Sequence, residues 1–418
     1  MEEEIKFSDV EVEADPQGYG ATEINAYSAK ISHEQLDKSA LELVREDLGY
    51  DGKEEKDEEY QELLDEKVGD FLRKWLKGGH TSIYYQSNKG LNYKVPRQTT
   101  MFMCQFDYSK YLQQSLRYTE ADDFISAFEG DERVEELYER SKELYNKMIS
   151  DDEEDIKKED ARFVLPLGTA AKHIHQNLNF ISLANIYREI NKESSRIPDI
   201  TKEAIDKGLE ALEEQEPIMF NRKNIEIYND HNDKGYTVTN MFSETNQALK
   251  DIKNNGNGAV TTFCVDIEDL ENSEYKESFL NLGNYGVMKP SVKGFLTSMS
   301  LATWHQFMRN DAVKQSVESV YDAAERGDIV VPPEIQISKY LEDFEELCER
   351  SLDVYEELRE EAGDNAIEVV PHALSLDVAF TVDYYNFDRG FIQDRKHKGA
   401  QWEIREIAQE VDETIRVF

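Results

Sequence analysis

Apolar residues recur at helical spacing within acidic stretches of the chain. Between 133 and 149, Val134, Leu137, Tyr138, Leu144, Tyr145 and Met148 fall on one helix face. Between 338 and 358, Tyr340, Leu341, Phe344, Leu347, Cys348, Leu352 and Tyr355 do the same. Both stripes read as core rather than as ligand surface. The same reasoning predicts helices over 170–190, 201–213 and 401–415, and strands over 258–265 and 294–299. Strands and helices mix in both halves, which makes the class α/β (α+β), a mixed sheet with packed long helices in each domain.

The two stripes belong to a longer repetition. At a constant shift of 204 residues Asp107 meets Asp311, Lys110 meets Lys314 and Ser115 meets Ser319. Downstream, Phe163-Val164-Leu165-Pro166 is matched by Val369-Val370-Pro371 at a shift of 205. Such offsets predict a tandem duplication, one globular unit per copy, with domains over 1–225 and 226–418. The division falls in a polar stretch running from Tyr228 through Asn254-Asn255-Gly256-Asn257-Gly258.

Charge narrows the function. The chain has 418 residues with 48 Lys+Arg against 88 Asp+Glu, a formal net charge of -40. A field of that sign repels polyphosphate, which argues against a nucleic-acid partner unless a local basic patch exists. Arg395-Lys396-His397-Lys398 is the longest basic run and reads as a solvated stretch. Acid spread along the whole chain fits both a protein adapted to high internal salt and an ordinary acidic protein. Cys104, Cys264 and Cys348 are far apart, with no zinc-ligand spacing, so neither disulfides nor a metal is expected. An acidic N-terminus and the lack of a long apolar run predict a cytoplasmic protein with no membrane partner.

The common nucleotide-loop, metalloprotease and hydrolase motifs are absent. His33, His231 and His372 read as structural or exposed, and His173 and His175, two apart on a predicted helix, make a poor metal pair. Two clusters carry more chemistry. Gly78-Gly79-His80-Thr81-Ser82 offers backbone and hydroxyl donors, and Gln114-Ser115-Leu116-Arg117-Tyr118 sets a hydroxyl two residues from a fork-shaped cation suited to phosphate or a uracil edge.

Together these clusters resemble the flavin-dependent thymidylate synthases, whose signature is Arg-His-Arg, seven residues, then Ser-x-Arg-Tyr. The second half resembles the same family at Trp304-His305-Gln306-Phe307-Met308-Arg309 and at Ala400-Gln401-Trp402-Glu403-Ile404-Arg405. Ala161-Arg162-Phe163-Val164-Leu165-Pro166, with Asn179, resembles its middle region. The resemblance implies reductive methylation of dUMP to dTMP, with FAD as cofactor and methylenetetrahydrofolate and NADPH as co-substrates. It gives Arg117 and Arg309 catalytic and nucleotide contacts, and Ser115, Gln306, Ser319 and Arg405 further substrate contacts. His80, Thr81 and Ser82 would face the flavin.

This chain departs from the pattern. The triplet reads Gln105-Phe106-Asp107 in one half and Arg309-Asn310-Asp311 in the other. Ser319-Val320-Tyr321 lacks the arginine, and Gly283-Asn284 stands where Gly-His is expected. The family's sites lie between subunits of a homotetramer, so the resemblance implies a homodimer of fused pairs with a composite site drawn from both halves. The alternative is a non-catalytic nucleotide- or flavin-binding or structural relative.

Overall fold

The computed structural model describes residues 9–14, 46, 62–78, 81, 83–106, 109–121, 123–193, 195–232, 240–247, 249–250, 260–263, 294–310, 313–382 and 391–416. The first half contains β1 (Glu11–Ala14), α1 (Asp70–Lys77), β2 (Asn88–Pro96), α2 (Arg97–Met103), β3 (Ser109–Gln113) and α3 (Glu132–Ser150). β4 (Ala170–Asn179), α4 (Phe180–Ile190), α5 (Asp199–Gln215) and α6 (Arg222–Asn232) follow. The second half contains β5 (Val260–Phe263), β6 (Gly294–Ser300), α7 (Leu301–Phe307), β7 (Val313–Val317) and α8 (Val320–Arg326). It ends with α9 (Leu341–Ala362), β8 (Ser375–Val382), α10 (Phe391–Arg395) and α11 (Trp402–Arg416).

Each half forms one antiparallel four-stranded sheet, ordered β1-β2-β4-β3 in the first and β5-β6-β8-β7 in the second. The offset of 204 carries α2 onto α7 and β3 onto β7 residue for residue, so the sequence repeat is a repeat of topology. Residue 226 lies within α6, which packs on α1 and α4 of the first half. We propose that the division between the halves falls after Asn232.

The halves join along their repeated proline landmarks. Pro166 and Pro371 form an antiparallel bridge. Leu167 N–H donates to the Val370 carbonyl (3.0 Å), and His372 N–H donates to the Leu165 carbonyl (2.9 Å). Gly168 N–H donates to the Glu368 carbonyl (2.7 Å), and Ala373 N–H to that of Phe163 (2.9 Å). Each bond is the other of its pair with the halves exchanged at a shift of 205, which is the signature of a local twofold axis. Helices α3 and α9 pack together beside this seam; the predicted stripe of α3 is buried, and in α9 Phe344, Leu347, Cys348 and Tyr355 are buried with Ser351, Val354 and Leu358, while Tyr340, Leu341 and Leu352 are half-buried. A single apolar cluster runs through both halves.

The seam also carries a buried acid. Glu368 is fully buried and accepts from Ser126 Oγ, Ala127 N–H (2.9 Å) and Tyr138 Oη (3.1 Å), all in the first half. Burial pushes its carboxyl up to about 7 despite these bonds. Gly168 is required here by close approach, because an added Cβ would lie 2.8 Å from Tyr138 Cζ.

Residues 170–179 are a strand and not the start of a helix. His173 and His175 therefore point to the same side of β4 rather than to different helix faces, with His175 Nδ1 bonded to Asn92 Oδ1 at 3.0 Å. His372 is buried with Nδ1 on the Leu165 carbonyl (2.6 Å), His231 is exposed, and His33 lies outside the described residues. Cys104 and Cys348 are buried free thiols, and Cys264 lies outside the described residues. No helix among the described residues is long and apolar enough to cross a membrane.

Candidate active site

Helix α7 is held at its start by the C-terminal helix. Glu403, on α11, accepts from Ser300 N–H (2.8 Å), Ser300 Oγ (2.6 Å) and Thr303 Oγ1 (2.6 Å), and Gln401 Oε1 accepts from Thr303 Oγ1 (3.1 Å). A carboxylate at a helix N-terminus is favoured by the helix dipole, and here it is buried as well. The clamp fixes the direction in which α7 presents His305, Gln306 and, one turn on, Arg309. Arg309 Nε folds back to the His305 carbonyl at 3.0 Å.

These side chains face a cavity of about 360 Å³ whose other wall comes from the first half. Arg97 at the start of α2, Gln113 to Tyr118 after β3, and Arg162 in the turn before β4 supply that wall. Arg395 at the end of α10 completes it. Five arginines from five separate segments thus converge in a chain of net charge -40. The local basic patch that the sequence did not reveal does exist, and Arg395 belongs to it rather than to a solvated run. It is a pocket, not a stripe, so it fits a small anion rather than a nucleic-acid strand.

The cations are poorly compensated. Arg117 Nε pairs with Glu159 Oε2 at 2.7 Å, and its Nη2 donates to the Gly399 carbonyl (3.0 Å) of the other half. Among the described residues no carboxylate lies within ion-pair distance of Arg97, Arg162, Arg309 or Arg395. Burial, then Arg162 and Arg309, pull Arg97 down to about 9; burial, then Arg117, pull Arg162 down to about 10. The buried acid Asp160, two residues before Arg162, is pushed up to about 7 by burial and then by Glu334, so it is a weak counter-charge. Arg97 Nε, Arg395 Nε, His305 Nε2 and Gln113 Oε1 are buried without hydrogen-bond partners. Orphaned donors and acceptors of this kind cost free energy unless a ligand meets them. Burial, then Arg309 and Arg97, hold His305 well below the usual imidazole range, so it is neutral at pH 7.

The structure brings Ser115, Arg117, Gln306 and Arg309 to one cavity. Ser115 Oγ accepts from Arg117 N–H at 3.2 Å. Arg405 does not line the cavity; its Nη1 reaches the Lys398 carbonyl (3.4 Å), next to the carbonyl held by Arg117. Ser319 is buried elsewhere, its N–H on Thr245 Oγ1 (2.8 Å). The Thr81 carbonyl accepts from Tyr84 N–H (3.0 Å), while His80 and Ser82 lie outside the described residues. Arg97, Arg162, His305, Gln113 and Arg395 were not among the expected site residues. Arg162 and His305 stand in the quoted motifs, Gln113 stands just before the cluster that runs to Tyr118, and Arg395 opens the basic run read as solvated, while Arg97 stands in none of them.

Comparison with known proteins gives these residues a context. A family model described as thymidylate synthase complementing protein matches residues 20–200 and again residues 237–417. No curated protein matches the chain. Among solved structures, the UMP/dUMP methylase PolB from Streptomyces cacaoi, bound with 5-Br dUMP, is similar at 15% identity and a TM-score of 0.38. The match covers 54% of this chain and 97% of that one.

Proposed function

The chain belongs to the thymidylate synthase complementing protein family, and from that premise we propose that the arginine cavity is its dUMP site. The observation that carries this reading is the set of four guanidinium groups without carboxylate partners among the described residues, with Arg97 and Arg162 buried, together with the orphaned Arg97 Nε and Arg395 Nε. A nucleotide phosphate supplies two negative charges and several acceptors to such a set, and charge-assisted bonds to arginine are the strong ones. Arg97, Arg162, Arg309 and Arg395 hold the phosphate and neutralise it. Arg117 ties the Glu159 carboxylate and the Gly399 turn to the same wall. Neutral His305 and Gln306 offer hydrogen bonds to the base without adding charge. Cys104 behind the site is no nucleophile, since burial raises its thiol to about 11. The protein's part is therefore to bind and orient.

The finer reading is reductive methylation of dUMP to dTMP, with methylenetetrahydrofolate, NADPH and FAD. It rests on family membership. Of the described residues at the triplet positions only Arg309 keeps the family's cation, and Gln105, Phe106 and Asn310 do not fit a flavin. Gln105 Nε2 caps the Met101 carbonyl (3.0 Å), Phe106 is buried, and Asn310 Nδ2 caps the Phe307 carbonyl (2.8 Å). We derive no step through the flavin. That same observation favours a second reading, a nucleotide-binding relative without flavin chemistry. We also propose that two chains pair, since one chain already contains the twofold unit. Titration calorimetry with dUMP tests nucleotide binding, and the visible absorbance of the purified protein separates the two readings: bound FAD supports the enzyme, and its absence after reconstitution supports the relative.

A further inference from the structure

The local twofold axis gives the arginine cavity a counterpart, and the offsets of 204 and 205 say what lines it. Leu301, Glu318 and Ile367 take the positions of Arg97, Gln114 and Arg162, and Phe102 and Gln105 take those of Gln306 and Arg309. Four basic or amide positions have become apolar or acidic. The counterpart is also filled. Met241 N–H donates to Gln105 Oε1 at 3.0 Å, Val320 N–H donates to the Met241 carbonyl at 2.8 Å, and Ser319 N–H donates to Thr245 Oγ1 at 2.8 Å. The Phe242 ring centroid lies 5.9 Å from that of Phe102 and 6.2 Å from that of Tyr321. Met241 and Phe242 are fully buried. The first-half residues that correspond to Gln306 and Arg309, and the second-half residues that correspond to Ser115 and Arg117, therefore grip the chain's own segment.

We propose that 240–245, which lies between α6 and β5, permanently occupies the second pseudo-equivalent site. That site is then an anchoring socket for the chain, and each chain takes up one nucleotide rather than two. The physical reason is complementarity. The socket's Ser319 and Val320 amides and the Gln105 side-chain oxygen are satisfied by the segment's own polar groups, and its aromatic wall by Phe242. A phosphate dianion there would meet Leu301, Ile367 and Glu318 in place of arginines and a glutamine.

The count of nucleotides rests on the dUMP reading; the occupancy of the socket does not. Two measurements on the full chain keep them apart. Saturation with dUMP, counted by equilibrium dialysis, is expected to give one nucleotide per chain, and two would overturn the proposal. Amide hydrogen exchange in the ligand-free protein is expected to show Met241, Ser319 and Val320 strongly protected. Rapid exchange of all three would overturn the socket whether or not dUMP binds, whereas protection with no dUMP uptake would uphold the socket and refute the nucleotide reading. In Phe242→Ala, exchange at Val320 should rise at least tenfold while the count stays at one. A second nucleotide bound by that variant would show a blocked nucleotide site instead of a socket, and would overturn the proposal.

Discussion

Pro166 and Pro371 face each other in an antiparallel bridge, although they are the same position of a repeated unit. An element that pairs with its own copy must lie on a twofold axis, and this one passes between the halves. The arginine cavity lies away from the axis, so each wall comes from a different half and its counterpart is free to differ. The two copies have differed by charge.

Arg97 is repelled by Arg162 and Arg309 in a buried setting, so it serves binding at the expense of stability. Arg97→Met, of similar volume, should leave the melting temperature of the ligand-free protein unchanged or raised. Its dUMP affinity should fall roughly tenfold to a hundredfold, the size of a charge-assisted bond. Calorimetry and thermal unfolding of the same sample check both halves of the statement.

Glu368 gives the seam a pH dependence of known sign. Its carboxyl in the folded chain is raised to about 7 from an ordinary 4.5, so the native state holds a proton that the unfolded chain releases. This residue's contribution to stability is present below about pH 4.5 and is lost as pH rises toward 7. Glu368→Gln should flatten the fall in stability between pH 5 and 7 relative to the parent. Parallel pH series of urea unfolding would show it, and identical slopes would contradict it.

Gly168→Ala should force the Tyr138 ring away from the seam, disturbing the Tyr138–Glu368 bond. A loss of roughly 1 to 3 kcal/mol is expected, the usual size of overpacking in a tight core. The equivalent Ala373 already carries a methyl, so Ala373→Gly should not produce a matching gain. Denaturant midpoints of the two variants settle the comparison.

The repeat, the two long helices and the α+β class were legible because they depend on periodicity and on a constant offset, whereas the sheets are antiparallel throughout the described residues rather than mixed. Residues 170–179 were misread for a physical reason. Ala171, Ile174 and Leu178 are spaced three and four apart like a helix face, whereas the strand alternation is carried by Gln176, polar yet buried against Tyr111 Oη at 2.9 Å. Arg97 left no trace, because it is an isolated cation at the start of α2, and Arg395 showed only as the first residue of a basic run that reads as solvated; only the fold brings the two together. The filling of the counterpart by Phe242 was equally illegible, because only the fold brings Phe242 against Phe102 and Tyr321.

The central claim is that one dUMP site is shared between the halves, and Arg117 and Arg309 test it most directly because they stand on opposite walls. Titration calorimetry of the parent, Arg117→Ala and Arg309→Ala, each checked for native folding, should show dUMP binding weakened in both variants by about 1.5 to 3 kcal/mol. Unchanged affinity in either folded variant would mean that its arginine does not meet the nucleotide, and would contradict the account.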